Sequence, residues 1–414
     1  MKLDTDVAQV LVTNNPQLSN YLNEKGQLVV LLLMCLYGLK QAGAEWYSVL
    51  STFIVKGLQY NQSIADQCLF FKVINKQLHI IVVHVDDLLI TYTHNGDYQM
   101  VKRQLSTMFG EMKFVEVPRH SYLGLEITVL KDKSVFLSQA IYLHKIISSY
   151  TEWRVTIEPD FSLKQYVTPS VSSLISELII DDTCDNIFQQ SIIHYVYSIL
   201  YVSQKTRPDI MFTVNILSTV VSSPPKSIIK HLDRVFGYLA GTVNKGILLG
   251  ANNTTLSLMA DASYGVHMDG KSHTGVLVYL DSSIISVKSR KQKLVTVSST
   301  EAEMESMTEA LKDKQPIHKL LEELNLLMKQ PTIVYQDNKS TMRLATRGEG
   351  FDGKSRHMRV RYHYIAEQIA NGEIDIRYLE TTKMVADLLT KPGGGSNFAD
   401  LVSTIVKDMP TPDI

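Results

Sequence analysis

LHIIVVHVDDLLIT, Leu78 to Thr91, is the stretch from which the fold is read. Two apolar, β-branched runs flank a pair of adjacent aspartates. Ile80 to Val85 has strong strand propensity, and Leu88 to Thr91 reads as its return. Asp86 and Asp87 then fall where a tight hairpin turn is expected. Two neighbouring carboxylates held against so much apolar surface are costly unless something compensates. A pair of divalent cations compensates, and a two-metal site is a standard engine of phosphoryl transfer. A solvated Asp–Asp turn is the alternative, because aspartate is itself a good turn former.

Outward from the hairpin, strands and helices alternate. Val7 to Val12 reads as a short strand, with Asp4 and Asp6 just before it, and Leu28 to Leu36 as a buried strand. Gly38 breaks that run, and Ala42 to Lys56 reads as an amphipathic helix. Leu69 to Val73 precedes the central hairpin and Tyr98 to Phe109 follows it as a helix. Tyr122 to Val129 and Val135 to Leu137 read as a second hairpin, and Gln139 to Ser149 as a helix. The expected class is α+β for this part, around a palm-like sheet. Residues 151–187 carry Pro159, Pro169, a Ser-rich run and the acidic Asp181 to Asp185, and read as a connection; three helices follow over 188–240.

From 251 a compact α/β pattern begins. Strands are expected at 256–263, 274–280 and 284–297, then a helix from Thr300 that Pro316 should stop at or before Gln315. A strand at 332–336, helices near 340–346 and 356–370, a strand at 373–379 and a helix from Lys383 complete it. Gly393 to Gly395 reads as a short joint before a tail. The domain division is therefore 1–150, 151–250, 251–392 and a tail over 393–414.

Four acids of the third part stand where chemistry would place them. Asp261 lies mid-strand in LSLMADASYG, Glu303 in the first turn of the helix after SSTEAE, Asp337 at the end of TIVYQD, and Asp387 among apolar neighbours in MVADLLTK. Such a cluster stays ionised only with bound cations. Read structurally instead, Glu303 is a helix N-terminal acid, a role Glu301 fills better, and Asp337 is a turn residue. Lys288, Arg290, Lys291 and Lys293, with Arg356, Arg359 and Arg361 among His357, Tyr362, His363 and Tyr364, offer phosphate contacts; a solvated face is the alternative.

The bulk numbers bound the rest. In 414 residues, 45% are hydrophobic and 20% charged, an ordinary globular composition with room for two or three cores. A net charge of −1 means that a nucleic-acid partner has to be argued from local patches. Cys35, Cys68 and Cys184 have no CxxC spacing, which argues against a disulfide framework or a zinc site. The run Leu28 to Leu36 is too short to span a bilayer and no secretory signal follows Met1, so no membrane role is expected.

LYGLKQA (Leu36 to Ala42), AEWY (Ala44 to Tyr47), the VDD core, YLGLEI (Tyr122 to Ile127), TRPDI (Thr206 to Ile210), DASYG, KSHTG (Lys271 to Gly275), SRKQK, SSTEAE, YQDNKS, RYHYI and ADLLTKP occur in this order. As an ordered set they resemble the reverse transcriptase–RNase H end of copia-type LTR-retrotransposon polyproteins, from about Pro16 to Pro392. The resemblance implies a partial reverse transcriptase palm and thumb, a helical connection and an RNase H-like domain. It implies that Asp86 and Asp87 bind magnesium and position the incoming nucleotide, with Asp6, or Asp4 as second choice, as the third polymerase acid. Asp261, Glu303, Asp337 and Asp387 match the acids that hold two Mg²⁺ (or Mn²⁺) ions for attack of water on an RNA phosphate. The implied partners are an RNA template, a DNA primer and an RNA–DNA hybrid, in the cytoplasm, within virus-like particles, or in the nucleus.

The sequence departs from that family at several points. His84 stands where tyrosine is usual, Arg359 where an acid or amide is usual, and Pro316 falls inside a helix. The fingers, protease and integrase have no counterpart in it. The expectation is a truncated copy with polymerase activity lost or severely weakened, unless a dimer or another chain supplies the fingers. A catalytically inactive nucleic-acid-binding remnant is the alternative; it would bind hybrids with steep salt dependence and no turnover. An unrelated phosphotransferase would need a nucleotide-cradling glycine loop, which is absent.

Overall fold

The computed structural model describes residues 1–31, 38–92, 94–116, 118–178, 184, 186–250, 253–327, 330–346, 356–393 and 397–410. Most of the expected strand Leu28 to Leu36, the run Asp181 to Thr183 with Asp185, and Gly394–Gly395 lie outside them, as do the side chains of Arg356 and His357. The chain divides into two compact units, Met1–Met112 and Lys113–Ile414. No helix among the described residues is long and apolar enough to cross a membrane.

In the first unit, β1 (Lys2–Leu3) pairs with β2 (Leu28–Val29), and α1 (Thr5–Asn14) lies between them in sequence. The expected strand Val7 to Val12 is thus a helix. Asp6 sits in its first turn, where a carboxylate favours the helix dipole, and the backbone polar groups are paired locally without a sheet. Its valines were a poor guide, because Val7 and Val10 stay about half exposed and only Ala8 is buried. The helix α2 (Ala42–Thr52) continues as a π turn over Phe53–Gly57. Then β3 (Asn61–Gln62), β4 (Leu69–Ile74), β5 (Gln77–His84) and β6 (Asp87–Thr91) form one antiparallel sheet in that order. The helix α3 (Asn95–Phe109) closes the unit, with Phe109 edge-on to both Trp46 and Phe53. Leu50, Ile54, Phe70, Ile81, Val83, Val101 and Leu105 form its core.

The second unit opens with an antiparallel meander of β7 (Arg119–Tyr122), β8 (Leu125–Val129) and β9 (Val135–Ser138), then α4 (Ala140–Ile157) and α5 (Leu174–Glu177). Helices α6 (Asn186–Ser203), α7 (Met211–Ser218) and α8 (Ile228–Gly241) follow, and β10 (Lys245–Leu249) returns to pair with β9. A five-stranded sheet comes next: β11 (Leu256–Ser263), β12 (His273–Leu280), β13 (Ser283–Lys291), β14 (Thr332–Gln336) and β15 (Ile374–Tyr378), in the spatial order β13-β12-β11-β14-β15. The first three strands are antiparallel neighbours, and β14 and β15 join parallel. Parallel neighbours need crossovers. Here these are α9 (Ser299–Glu323) and the pair α10 (Lys339–Thr346) and α11 (Arg356–Ala370). Short 3₁₀ turns at Thr381–Lys383 and Val385–Leu389, α12 (Phe398–Ile405) and β16 (Lys407–Asp408) end the described chain.

Alternation along the strands divides the sheet between two cores. Leu256, Leu258, Ala260, Val276 and Val278 pack with Met304, Met307, Ala310 and Leu311 of α9 and with Tyr362 and Ile365 of α11. Leu277, Tyr279 and Ile284 join a larger core with α4, α6, α7, α8 and α12. That larger core crosses the boundaries expected at 150, 250 and 392. Phe398, Leu401, Val402 and Ile405 of the expected tail lie in it, and β16 pairs with β10. Three expectations of the third part change. The strand expected over 284–297 ends at Lys291; Pro316 lies inside α9; and the helix expected from Lys383 is two 3₁₀ turns. At Pro316 a backbone hydrogen bond is forfeited, but the last turns keep Leu321 buried in the sheet's core.

Candidate metal centre

Asp86 and Asp87 lie at the two-residue turn between β5 and β6. His84 pairs with Asp87 across it, leaving Val85 and Asp86 as its two central residues. Val85 takes φ 55°, a conformation that β-branched residues rarely adopt, and its carbonyl accepts a hydrogen bond from Trp46 Nε1 at 2.7 Å. Both aspartates are exposed, so the costly burial expected from their apolar flanks does not arise. Neither they nor the early acids Asp4 and Asp6 belong to a group of three potential ligands among the described residues. The early acids stand at the N-terminus of α1 rather than on a strand beside the hairpin.

The second unit gathers its acids. Asp261, mid-strand on β11, is 2% exposed and faces Gly275 in the β11–β12 register. Glu303, 5% exposed, lies in the second turn of α9. The start of that helix is fixed by two caps: Glu301 N donates to Ser298 Oγ at 3.2 Å, and Val297 N, just before the cap, donates to Glu301 Oε2 at 2.8 Å. Ser306 one turn on donates to the Asp261 carbonyl at 2.7 Å, tying α9 to β11. Asp337 follows the end of β14, neighbour of β11, and accepts from Thr381 Oγ1 at 2.9 Å. One carboxylate oxygen each from Asp261, Glu303 and Asp337 lie within 4.8 Å of one another.

Asp387 comes beside this group on the Val385–Leu389 turn, which presses on β12. Only glycine fits opposite it: a Cβ at Gly275 would sit 2.8 Å from Leu389 Cβ and 2.9 Å from the Ala386 carbonyl. Thr390 donates to Asp261 Oδ2. Lys391 Nζ lies 2.7 Å from Asp387 Oδ1 and 3.9 Å from Asp261 Oδ2, between the two acids. Sequence reading missed Thr390 and Lys391, although Lys391 follows Asp387 by one helical repeat in ADLLTKP.

The electrostatics follow from burial and like charge. Burial, then Asp261 and Asp337, push Glu303 up to about 9. Burial raises Asp261 as well, with Lys391 and Thr390 opposing. Asp387 is pushed to about 6, by burial first and Asp261 second. Carboxylates whose neutral forms are favoured by packing make a site short of positive charge. An all-oxygen donor set of this kind suits a hard divalent cation.

The basic residues expected to meet phosphate are largely engaged. Lys288 pairs with Asp313 and Arg290 with Glu309, both on α9; Lys291 Nζ lies 2.9 Å from Asp269 Oδ2 and Arg361 Nη2 3.0 Å from Glu305 Oε2. Lys293 is exposed in the loop before α9, with no ion pair among the described residues. The side chain of Arg356 lies outside those residues.

Residues 2–155 match the family model "Reverse transcriptase (RNA-dependent DNA polymerase)". The chain is 31% identical over 384 residues to the retrovirus-related Pol polyprotein from transposon RE1 of Arabidopsis thaliana, covering 92% of this chain and 25% of that protein. It is 30% identical over 374 residues to the corresponding polyprotein from transposon TNT 1-94 of Nicotiana tabacum, covering 89% and 27%. It is 25% identical over 382 residues to the Ty1-GR2 Gag-Pol polyprotein of Saccharomyces cerevisiae, covering 88% and 21%. The chain therefore spans about a quarter of the length of these relatives. Among solved structures, an RNase H1 isolated from compost is 16% identical with a TM-score of 0.27, over 33% of this chain and 93% of that one. The protease–reverse transcriptase of prototype foamy virus is 11% identical with a TM-score of 0.24, over 90% and 42%. Residues 2–155 thus match a reverse transcriptase, and about nine-tenths of the chain is similar to retrotransposon Pol polyproteins, over about a quarter of their length.

Proposed function

We propose that the second unit cleaves the RNA strand of RNA–DNA hybrids, using divalent cations held by Asp261, Glu303, Asp337 and Asp387. The observation that carries this reading is the convergence of three acids from two strands and one helix within 4.8 Å, two of them almost fully buried. Nothing in the packing of a fold requires Asp261 and Glu303 to be buried together, and each costs stability without a cation. Mg²⁺ or Mn²⁺ bound there would lower the pKa of a water and clamp the scissile phosphate. The chain's own groups prepare the place. Gln336 Nε2 steadies Glu303 Oε2 at 3.3 Å, Thr381 steadies Asp337, and Thr390 steadies Asp261. Lys391 supplies positive charge beside Asp261 and Asp387.

The foamy virus and compost enzymes have been solved with double-stranded DNA and with an RNA/DNA hybrid. An RNA–DNA hybrid is the first substrate to test here. Cleavage of a labelled hybrid in Mg²⁺ by the unmodified chain, and none by Asp261→Asn, is the expected result. No cleavage by the unmodified chain overturns the reading. For polymerisation on an RNA template and DNA primer the proposal is weak activity at most, because Asp86 and Asp87 are exposed and gather no third acid among the described residues. Catalytic groups tolerate little misplacement. Processive cDNA synthesis in a primer-extension assay would overturn this half.

A further inference from the structure

A line of buried hydrogen bonds outside the acid cluster ends on the turn that carries Asp387. His267 Nε2 lies 3.0 Å from His273 Nδ1, His273 Nε2 lies 2.8 Å from Ser289 Oγ, and Ser289 Oγ donates to the Leu389 carbonyl at 2.7 Å. His273 and Ser289 sit on β12 and β13, His267 in the loop before β12, and all three are buried. The direction of every bond follows from its far end. A carbonyl only accepts, so the single hydrogen of Ser289 is committed to Leu389. Ser289 must then accept from His273, which places that ring's hydrogen on Nε2. Burial pushes His273 down to about 3 and His267 to about 4, so near neutral pH each ring carries one hydrogen. His273 Nδ1 is therefore bare, and His267 donates to it from Nε2.

The line holds at both ends. The Ser289 carbonyl receives Asn215 Nδ2 at 2.7 Å, fixing β13 to α7 at this residue. Leu389 ends a 3₁₀ turn, where carbonyls lack partners within the helix. Ser289 supplies that partner. Phe212 on α7 meets His273 edge-on at 5.0 Å and seals it from water. An apolar side chain at 273 would fill the strand equally well but leave the Ser289 hydroxyl without a donor behind it.

We propose that His273 is a positioning residue: acting through Ser289, it sets the height of the Val385–Leu389 turn and so keeps Asp387 beside Asp261. This rests on the nuclease reading above. The test uses the full chain and measures Mn²⁺ binding by calorimetry, together with ¹⁵N spectra of the histidine rings. Both rings should show the Nε2–H tautomer. Ser289→Ala and His273→Leu should each weaken Mn²⁺ binding about 10-fold, the scale seen when an outer partner of a ligand is lost. His273→Gln, whose amide keeps a donor toward Ser289, should recover most of it. Unchanged affinity in Ser289→Ala and His273→Leu, with binding lost in Asp261→Asn, overturns the positioning role and leaves the site standing. Equal weakening by Leu and Gln also overturns it, since packing alone would explain that. Should His273→Leu unfold, Ser289→Ala, which removes one oxygen, carries the test. If Asp261→Asn binds Mn²⁺ as the unmodified chain does, the nuclease reading fails and this inference with it.

Discussion

Asp86 and Asp87 lie at an exposed two-residue turn made by chain neighbours, whereas Asp261 and Glu303 are buried together after arriving from a strand and a helix some forty residues apart. The first pair is held by local geometry and water. The second is held by a sheet register, a capped helix and a 3₁₀ turn, each independently anchored. Solvated carboxylates can be present for many reasons. Buried ones must be compensated, so the second group says more about function than the first.

The sharpest way to break this contrast is to neutralise each group in turn. Asp261→Asn should reduce hybrid cleavage to background, while Asp86→Asn with Asp87→Asn should leave it unchanged, both read by gel from the same labelled hybrid. Loss of cleavage in the double variant would mean that the hairpin belongs to the nuclease site after all. Next in size is Gly275→Val. Its side chain would meet Leu389, Thr390 and the Ala386 carbonyl, forcing the Asp387 turn outward. Mn²⁺ affinity should fall about 10-fold or more, in line with the loss of support to a ligand. Unchanged affinity would show that Asp387 is dispensable.

A third test uses the acids' response to pH in chelator. Glu303 moves from an ordinary value of 4.5 to about 9 on folding, so the folded chain binds more protons throughout that range. Its contribution is full below 4.5 and is lost as pH rises through about 9. Asp387 and Asp261 shift in the same direction. The lowered histidines act oppositely, but only below their ordinary 6.5. Between pH 7 and 9 the raised acids pull stability down, buried Lys314, whose pKa is lowered, opposes them, and with three acids against one lysine Tm in chelator should fall. About 1 kcal/mol corresponds to roughly 2–4 °C in a domain of this general size. Glu303→Gln should flatten the slope and saturating Mg²⁺ should remove it. A Tm that rises over this window in chelator would contradict the burial of these acids.

The two regions also differ in how much of them was legible in the sequence. The hairpin is local, and two apolar runs around a turn former are enough to place it. Asp261 and Asp387 were legible as candidates because each interrupts an apolar pattern, and Glu303 and Asp337 because they stand at a helix start and a strand end. Their convergence was not, since it depends on β14 joining β11 in parallel and on Gly275 admitting the Asp387 turn. The helix at Thr5–Asn14 was misread because valine propensity outweighed Asp6 in the first turn. The buried tail was misread because three glycines look like a joint whatever follows them. The ion pairs of Lys288 and Arg290 with α9 were invisible because their partners lie 25 and 19 residues away.

The smallest effect concerns the hairpin's own strain. Val85 sits at φ 55°, where a β-branched side chain costs energy that glycine would not, while Trp46 clamps its carbonyl. Val85→Gly relieves that strain but frees the unfolded chain, and the two effects oppose each other. Strain at such a position is on the order of 1–3 kcal/mol and the entropic cost is roughly 0.5–1 kcal/mol, so a small net stabilisation of the first unit is expected. Trp46→Phe removes the clamp and should cost about 1 kcal/mol. Native-state hydrogen exchange at the amides of β5 and β6 reads both. If Val85→Gly accelerates exchange there, the turn is not strained, and the hairpin holds its aspartates through the sheet alone.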